Sequence, residues 1–340
     1  MSRFVCAYWL CCFFCLVIVL VEGAYLNALL HLQEVPGKGL GFYAAERIQV
    51  GELLIREAPL LSLTPSSSWF KPTESYQYKR LEQQLNKLSK EEKDLYFNLF
   101  CQNTRETSNE AMKALDIFRS NAYPTRNEFT ARKNDDSSGV FASISRINSS
   151  CNPNVHYSWS ASKKVGNIHC IRPIQKGEEI VNNYVGVQLP FVERQEYLSR
   201  HFGFDCTCEV CISQDRAKCD ARRIEYSNWA DQKVDGHLKS NGIDNCNMRL
   251  EIINQDDFLQ HSSPLKYEVA RDMLKCIRLQ QREIGDNSNS DSSDSSDTVH
   301  TQIQKWMDFA LTNCKICKGE DSEHVEMLLQ IQKELLKKCY

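Results

Sequence analysis

The chain has 340 residues, enough for one large domain and a smaller one, and its 42% hydrophobic and 25% charged residues are those of an ordinary globular protein. A formal net charge of −3 supplies no global basic field, so direct nucleic-acid binding is not indicated. Of the 16 cysteines four (Cys6, Cys11, Cys12 and Cys15) lie near the amino end, and the other twelve do not form the evenly spaced pairs of a small disulfide framework.

At the amino end, Arg3 precedes an uncharged run from Phe4 to Val21, and Val21-Glu22-Gly23 resembles a small-residue cleavage site before Ala24. Residues 1–23 therefore read as a secretory signal peptide. The run also reaches the ~18 residues of a membrane anchor. A third reading is a misjoined first exon, because a cytosolic type of domain starts just after it.

Leu30–Val35 is short and apolar-rich and predicts a strand. Pro36-Gly37-Lys38-Gly39-Leu40-Gly41 follows as a turn whose glycines can take positive φ and let a ligand approach the backbone. A phosphate loop would need a Lys-Ser/Thr pair opening a helix, and this turn has none. Phe42–Ala45 and Leu53–Ile55 predict two more strands, and residues 65–72 a loop. Tyr78–Leu88, Glu91–Cys101 and Asn109–Asn121 predict helices, an insertion at about 74–121. Leu81, Leu85 and Leu88 give it a packing stripe, and Ser89 with Glu92 forms a capping box that starts the second helix. The polar stretch Lys133–Gly139 is expected to loop out.

Val155–Ser160 and Asn167–Pro173 alternate as hairpin strands around Lys163-Lys164-Val165-Gly166. Ile180–Val185 predicts a further strand and Val192–His201 a short helix. Beyond Cys211, Glu225–Lys239, Pro264–Ile284, Val299–Cys314 and His324–Cys339 read helical. Val325, Leu328, Leu329, Leu335, Leu336 and Cys339 fall on one face of the last. Residues 286–297 hold only Ser, Asp and Asn and predict a disordered acidic loop.

Three dense blocks lie between Ser145 and Cys211. They are Arg146-Ile147-Asn148-Ser149-Ser150-Cys151-Asn152-Pro153-Asn154, Gly177-Glu178-Glu179-Ile180-Val181-Asn182-Asn183-Tyr184, and Phe202-Gly203-Phe204-Asp205-Cys206-Thr207-Cys208-Glu209-Val210-Cys211. Cys206, Cys208 and Cys211 sit too close together for mutual disulfides and read as metal ligands, which suits a reduced compartment. A closed zinc site wants four ligands, and Cys219 is one candidate for the fourth. Cys314 and Cys317 have no nearby partner pair and read as two thiols at a helix end.

In order and relative placement, Gly37-Lys38-Gly39, the Asn148 block, Glu178-Glu179-Ile180 through Tyr184, and Cys206-x-Cys208-x2-Cys211 resemble the SET-domain protein methyltransferases. The resemblance covers roughly Leu26 to Ser213. The helical insertion and tail, with Gly319-Glu320-Asp321-Ser322, are similar to fungal SET proteins related to the SET-and-MYND family. The MYND finger's run of paired cysteines is missing between Ser62 and Asp116. The implied fold is α+β: small β-sheets with a knot-like core over 26–185, a post-SET zinc segment at 186–213, and a helical carboxy-terminal domain at 214–340.

The implied activity is S-adenosylmethionine-dependent protein-lysine N-methylation. On that resemblance Lys38, Gly39, Asn148 and Ser149 would hold S-adenosyl-L-methionine, and Phe204 would stack near its adenine. Tyr184 would be the catalytic residue of the methyl-transfer channel and Phe202 a second aromatic of the substrate channel. Cys151 would join Cys206, Cys208 and Cys211 on a structural zinc ion, in competition with Cys219. The implied partner is a protein carrying a target lysine, histone or not, in nucleus or cytoplasm; residues 1–23 point instead to the secretory pathway or a membrane.

Two positions depart from the family. Ser149 stands where the central block usually carries His, and Phe202 where the second channel aromatic is often Tyr. Both bear on activity more than on fold. They motivate an alternative, a catalytically silent SET scaffold that binds proteins through its helical tail. An exported, zinc-stabilised protein is a third reading.

Overall fold

The computed structural model describes residues 24–64, 73–102, 109–126, 136–234, 237–238, 242–286 and 293–336. The leader expected at 1–23 and the loop expected at 65–72 lie outside the described residues. No helix among the described residues is long and apolar enough to cross a membrane.

Strands β1 (Tyr25–Leu26), β2 (Leu30–Val35), β3 (Gly39–Ala44), β4 (Leu53–Glu57) and β5 (Leu61–Leu63) open the fold. β2 and β3 pair antiparallel, and the turn between them places Gly37 and Gly39 at φ of 74° and 75°, where a Cβ is disfavoured. Helices α1 (Glu74–Leu85), α2 (Lys90–Phe97) and α3 (Glu110–Asn121) form the insertion. The Ser89–Glu92 capping box starts α2 as expected, and the Asn109 side chain caps α3. Leu81 and Leu85 are buried against Leu115, Phe118 and Tyr96, and Leu88 is half-buried beside them.

β6 (Tyr123–Pro124) and β7 (Ser138–Val140) join β5 in one sheet of order β5-β7-β6. Ser138 and Gly139, expected in a polar loop, are therefore strand residues paired with Leu63 and Ser62. The glycine is what permits this, since a Cβ at position 139 would lie 2.9 Å from Pro59 Cβ. A short 3-10 turn at Ile144–Arg146 leads into β8 (Asn148–Ser149). β9 (Val155–Ser160) and β10 (Val165–Cys170) form the expected hairpin, inside a sheet of order β1-β4-β10-β9. β11 (Val181–Asn182) pairs parallel with β8, Val181 opposite Asn148 and Asn182 opposite Ser149. The strand expected over Ile180–Val185 is cut to these two residues because its neighbours bond elsewhere. The Ile180 N–H goes to Phe42 O, and the Tyr184 N–H to the Ser149 hydroxyl.

Glu57 ties β4 to the segment that precedes β8. It is 1% exposed, and its carboxyl accepts the backbone N–H groups of Ser143 and Ile144 at 2.9 and 2.6 Å. Burial outweighs those bonds and raises its pKa from 4.5 to about 7. The folded state thus binds the proton more tightly than the unfolded chain does. The resulting stability is complete below the unfolded value and is lost as pH rises through the folded value near 7. The shift corresponds to about 3 kcal/mol. Thermal melts across this window are expected to fall with pH, and Glu57→Gln to flatten the slope.

The rest is helical: α4 (Phe191–Phe202), α5 (Glu209–Ile212), α6 (Arg216–Ala230), then short strands β12 (Lys233–Val234) and β13 (His237–Leu238), then α7 (Gly242–Gln255), α8 (Ser263–Asp286), α9 (Ser293–Lys318) and α10 (Glu323–Leu336). The helix expected to reach Lys239 stops at Ala230. α7 is not among the elements that the sequence predicts. Its buried face carries Asn245 and Arg249, which breaks the apolar period. Arg249 is matched inside the core by Asp272 at 2.8 Å, Tyr226 OH at 3.1 Å and Glu268 at 3.0 Å. α9 begins at Ser293, inside the acidic run expected to be disordered. Residues 287–292 of that run lie outside the described residues. On α10, Val325, Leu328 and Leu335 are buried as expected, whereas Leu329 is 43% exposed; Cys339 lies outside the described residues.

The α9–α10 turn docks these helices on the β9–β10 hairpin. Asp321 accepts from Arg56 at 3.1 Å and from Lys163, and Glu323 accepts from the backbone and side chain of the hairpin turn at Ser162 and Ser160. Gly319 sits at φ 89° against the buried His169 ring, where a Cβ would come within 2.8 Å of Nε2.

Candidate active site and metal centre

The β8–β11 pairing brings the Asn148 block and the Tyr184 segment side by side. Asn154 fastens them. It is fully buried, its Nδ2 donates to Glu179 O at 2.7 Å, its Oδ1 accepts the Val181 N–H at 2.8 Å, and its own N–H goes to Val181 O. One amide thus satisfies several buried backbone groups that would otherwise be costly.

At the glycine turn, Lys38 Nζ lies 2.9 Å from Glu179 Oε2, and Asn148 Nδ2 donates to Glu179 Oε1 at 2.8 Å. Lys38 and Asn148 are therefore brought together, with Glu179 between them. Gly41 allows this close approach: a Cβ there would lie 2.6 Å from Asn148 Nδ2. Gly37 and Gly39 have nothing within 4 Å of where a Cβ would stand, so the turn is open to solvent.

Tyr184 donates its hydroxyl hydrogen to Ile147 O at 2.7 Å, and its backbone N–H to Ser149 Oγ at 3.3 Å. Ser149 thus has a defined task, holding the Tyr184 backbone with a hydroxyl. Phe202, at the end of α4, packs on the Tyr184 ring with centroids 4.7 Å apart. Burial, with Tyr123 and Glu179 nearby, pushes the Tyr184 pKa well above the usual phenol value, so the group stays protonated. Its one hydrogen is committed to Ile147, which leaves its oxygen as an acceptor. Phe204 is 36% exposed.

The metal centre adjoins the aromatic pair. The sulfurs of Cys151, Cys206, Cys208 and Cys211 all lie within 4.8 Å of one another and could hold a metal ion. Cys151 Sγ is 4.0 Å from Cys206 Sγ and 3.6 Å from Cys211 Sγ. Zinc–sulfur bonds of ~2.3 Å in a tetrahedron put sulfurs ~3.8 Å apart, while a disulfide needs ~2.05 Å. Hydrogen bonding with Cys206 and Cys208 pushes the Cys151 thiol up, while the Cys151 thiol holds Cys208 down. A dication would take all four as thiolates. Cys219 is not part of this group, and neither are Cys314 and Cys317.

α4 supports the centre with two consecutive residues. Gln195 Oε1 accepts the Cys206 N–H at 2.7 Å, and its Nε2 donates to Cys206 O at 2.8 Å. Arg194 is fully buried and reaches Cys211 Sγ at 3.9 Å. Burial works against its charge, but the sulfurs of Cys151 and Cys211 more than offset this and hold its pKa up. The cysteines also share one apolar cluster with Val185 and Leu198, against which Tyr184 and Phe202 pack. Ordering the metal loop therefore orders the walls around Tyr184.

Sequence reasoning assigned no role to Glu179, Asn154, Arg194 or Gln195. Glu179 and Asn154 stand inside quoted blocks, so block membership was the available signal. Arg194 and Gln195 carried none, because a charged or polar helical residue usually faces solvent.

Residues 39–185 match the family model described as SET domain. Histone-lysine N-methyltransferase set5 of Schizosaccharomyces pombe is 31% identical over 182 residues, 54% of this chain and 50% of that protein. Histone-lysine N-methyltransferase SMYD3 of Homo sapiens is 28% identical over 157 residues, 43% of this chain and 36% of that protein. The chain thus spans half or less of the length of these relatives. The SET domain of LSMT, solved bound to lysine and AdoHcy, aligns with 93% of this chain and 89% of that chain at 13% identity and a TM-score of 0.33, too low to place any residue. Over residues 39–185 this chain is a SET domain.

Proposed function

We propose that the chain is an S-adenosylmethionine-dependent protein-lysine N-methyltransferase with a structural zinc ion. The observation that carries this is that Phe202 and the Cys206–Cys211 loop, which follow the SET domain, close on its Tyr184 and Cys151. Lys38 offers a cation and Asn148 an amide beside the open glycine turn, a donor set suited to the charged amino-acid end of S-adenosylmethionine. Gly39 and Ser149 shape the backbone there, and Phe204 would flank the adenine. When bound, this cofactor supplies a sulfonium methyl: the amine lone pair forms the C–N bond as the C–S bond breaks, and the amine's proton leaves to solvent.

The chain's own residues orient the amine and strip its water. The Tyr184 oxygen accepts an amine N–H, and the Tyr184 and Phe202 rings form an apolar wall. Desolvation there lowers the lysine pKa and favours the neutral nucleophile. Alignment of this kind contributes up to ~7–11 kcal/mol in favourable systems. The four cysteines would hold zinc as a closed tetrahedral site, and the helices beyond residue 213 would shape the cleft for a protein substrate. The Ser149 hydroxyl's hold on Tyr184 favours activity over the silent-scaffold reading. Calorimetric titration of the full chain with S-adenosylmethionine tests the proposal. Saturable binding at one site is expected; no binding would sink it.

A further inference from the structure

Arg194, Arg223 and Arg249 are fully buried. A buried guanidinium needs a matching negative charge, because the protein interior solvates it poorly. Arg223 meets Asp256 at 3.3 Å, and Arg249 meets Asp272 at 2.8 Å. Arg194 is different. Its ion pair with Asp220 is stretched to 3.9 Å, and that carboxylate also accepts the Phe191 N–H at 3.0 Å. Its Nη1 donates to Leu189 O, a neutral acceptor, and its buried Nε has no hydrogen-bond partner among the described residues.

The other neighbour of this cation is the cysteine group. Arg194 Nη2 is 3.9 Å from Cys211 Sγ. A second donor reaches the same group from the backbone, the Cys151 N–H at 3.4 Å from Cys208 Sγ. Four thiolates around a dication leave two negative charges in excess. Salt screens a charge pair at this depth far less than one at the surface. Arg194 is thus better matched by a metal-loaded centre than by Asp220.

We infer that Arg194 is the counter-charge of the metal centre: its guanidinium offsets the excess charge of the four thiolates and sets how tightly the chain keeps its zinc. This rests on the zinc reading of that centre. The coupling runs both ways, so the loaded centre also steadies Arg194. Arg194 Nη1 holds Leu189 O just before α4, and Phe202 at the far end of α4 packs on Tyr184 with centroids 4.7 Å apart. Zinc therefore braces the wall beside Tyr184 through α4 as well as through the Cys206–Cys211 loop.

The test is competition for zinc between a chelator and the full chain, comparing wild type with Arg194→Gln and Arg194→Lys. Gln keeps a donor and removes the charge, whereas Lys keeps the charge. Arg194→Gln is expected to hold zinc about tenfold to a hundredfold more weakly, the scale of losing an outer partner of a metal ligand. Arg194→Lys is expected to recover most of that loss, a rescue that a purely space-filling role would not give. Wild-type zinc retention in Arg194→Gln, or Arg194→Lys no better than Arg194→Gln, would overturn the inference alone. Should Arg194→Gln fail to fold, Arg194→Lys decides the matter against Cys151→Ser. Retention nearer the wild-type level supports the inference, and retention nearer the Cys151→Ser level overturns it. Wild-type protein that holds no zinc would overturn the zinc reading and the inference with it.

Discussion

Replacing Cys151 by serine is expected to remove the metal from the purified protein and to lower its melting temperature, as read by elemental mass spectrometry and thermal unfolding. Cys151 is the only one of the four sulfurs that comes from the central block; the other three lie within the Cys206–Cys211 loop. It is therefore the one bond through which an ion ties the loop to the Asn148 segment. Losing an outer partner of a metal ligand weakens metal binding ~10–100-fold, and losing a thiolate itself costs at least as much. A hundredfold loss is about 2.8 kcal/mol of stability in the metal-bound form. Because Tyr184 and Phe202 pack on the same cluster, methyl transfer should fall with it. Cys219→Ser is the control: Cys219 is buried but stands apart from the four, so metal content should hold. Metal lost from Cys219→Ser and kept in Cys151→Ser would reverse the ligand assignment.

Tyr184→Phe should reduce kcat/KM for a lysine peptide by about a hundredfold or more, the scale of losing one oriented polar contact at a reacting centre. The substitution keeps the ring stacked on Phe202 and removes the oxygen that receives the amine. It also leaves Ile147 O without its donor, a structural cost of ~1 kcal/mol. S-adenosylmethionine affinity should change little, which separates this variant from a general collapse of the site. Near-wild-type turnover would mean that the Tyr184 hydroxyl serves only its bond to Ile147.

Much of this arrangement was legible because local rules and tertiary needs agreed. Ser89 and Glu92 cap α2, Leu81 and Leu85 face inward, and the Val155–Cys170 hairpin keeps its alternation. The same agreement held for Cys206, Cys208 and Cys211, whose spacing leaves few other uses for thiols; Cys151, which the structure places beside them, was named only through the family resemblance. Legibility ended where polar residues do structural work inside the core. Arg249 hides α7, Arg194 and Gln195 brace the metal loop, and Glu57 caps a turn from a distant strand. Each is a long-range pairing with no local periodic trace. Ser149 shows the reverse lesson: a departure from the family's pattern is filled by a different contact, the hydroxyl that holds the Tyr184 backbone.

The most direct measurement is mass spectrometry of a lysine peptide library incubated with the full chain and methyl-labelled S-adenosylmethionine. Labelled methyl on lysine nitrogen, greatly reduced in Tyr184→Phe, is the predicted result. No labelled lysine from protein that binds the methyl donor would contradict the account and favour a silent scaffold.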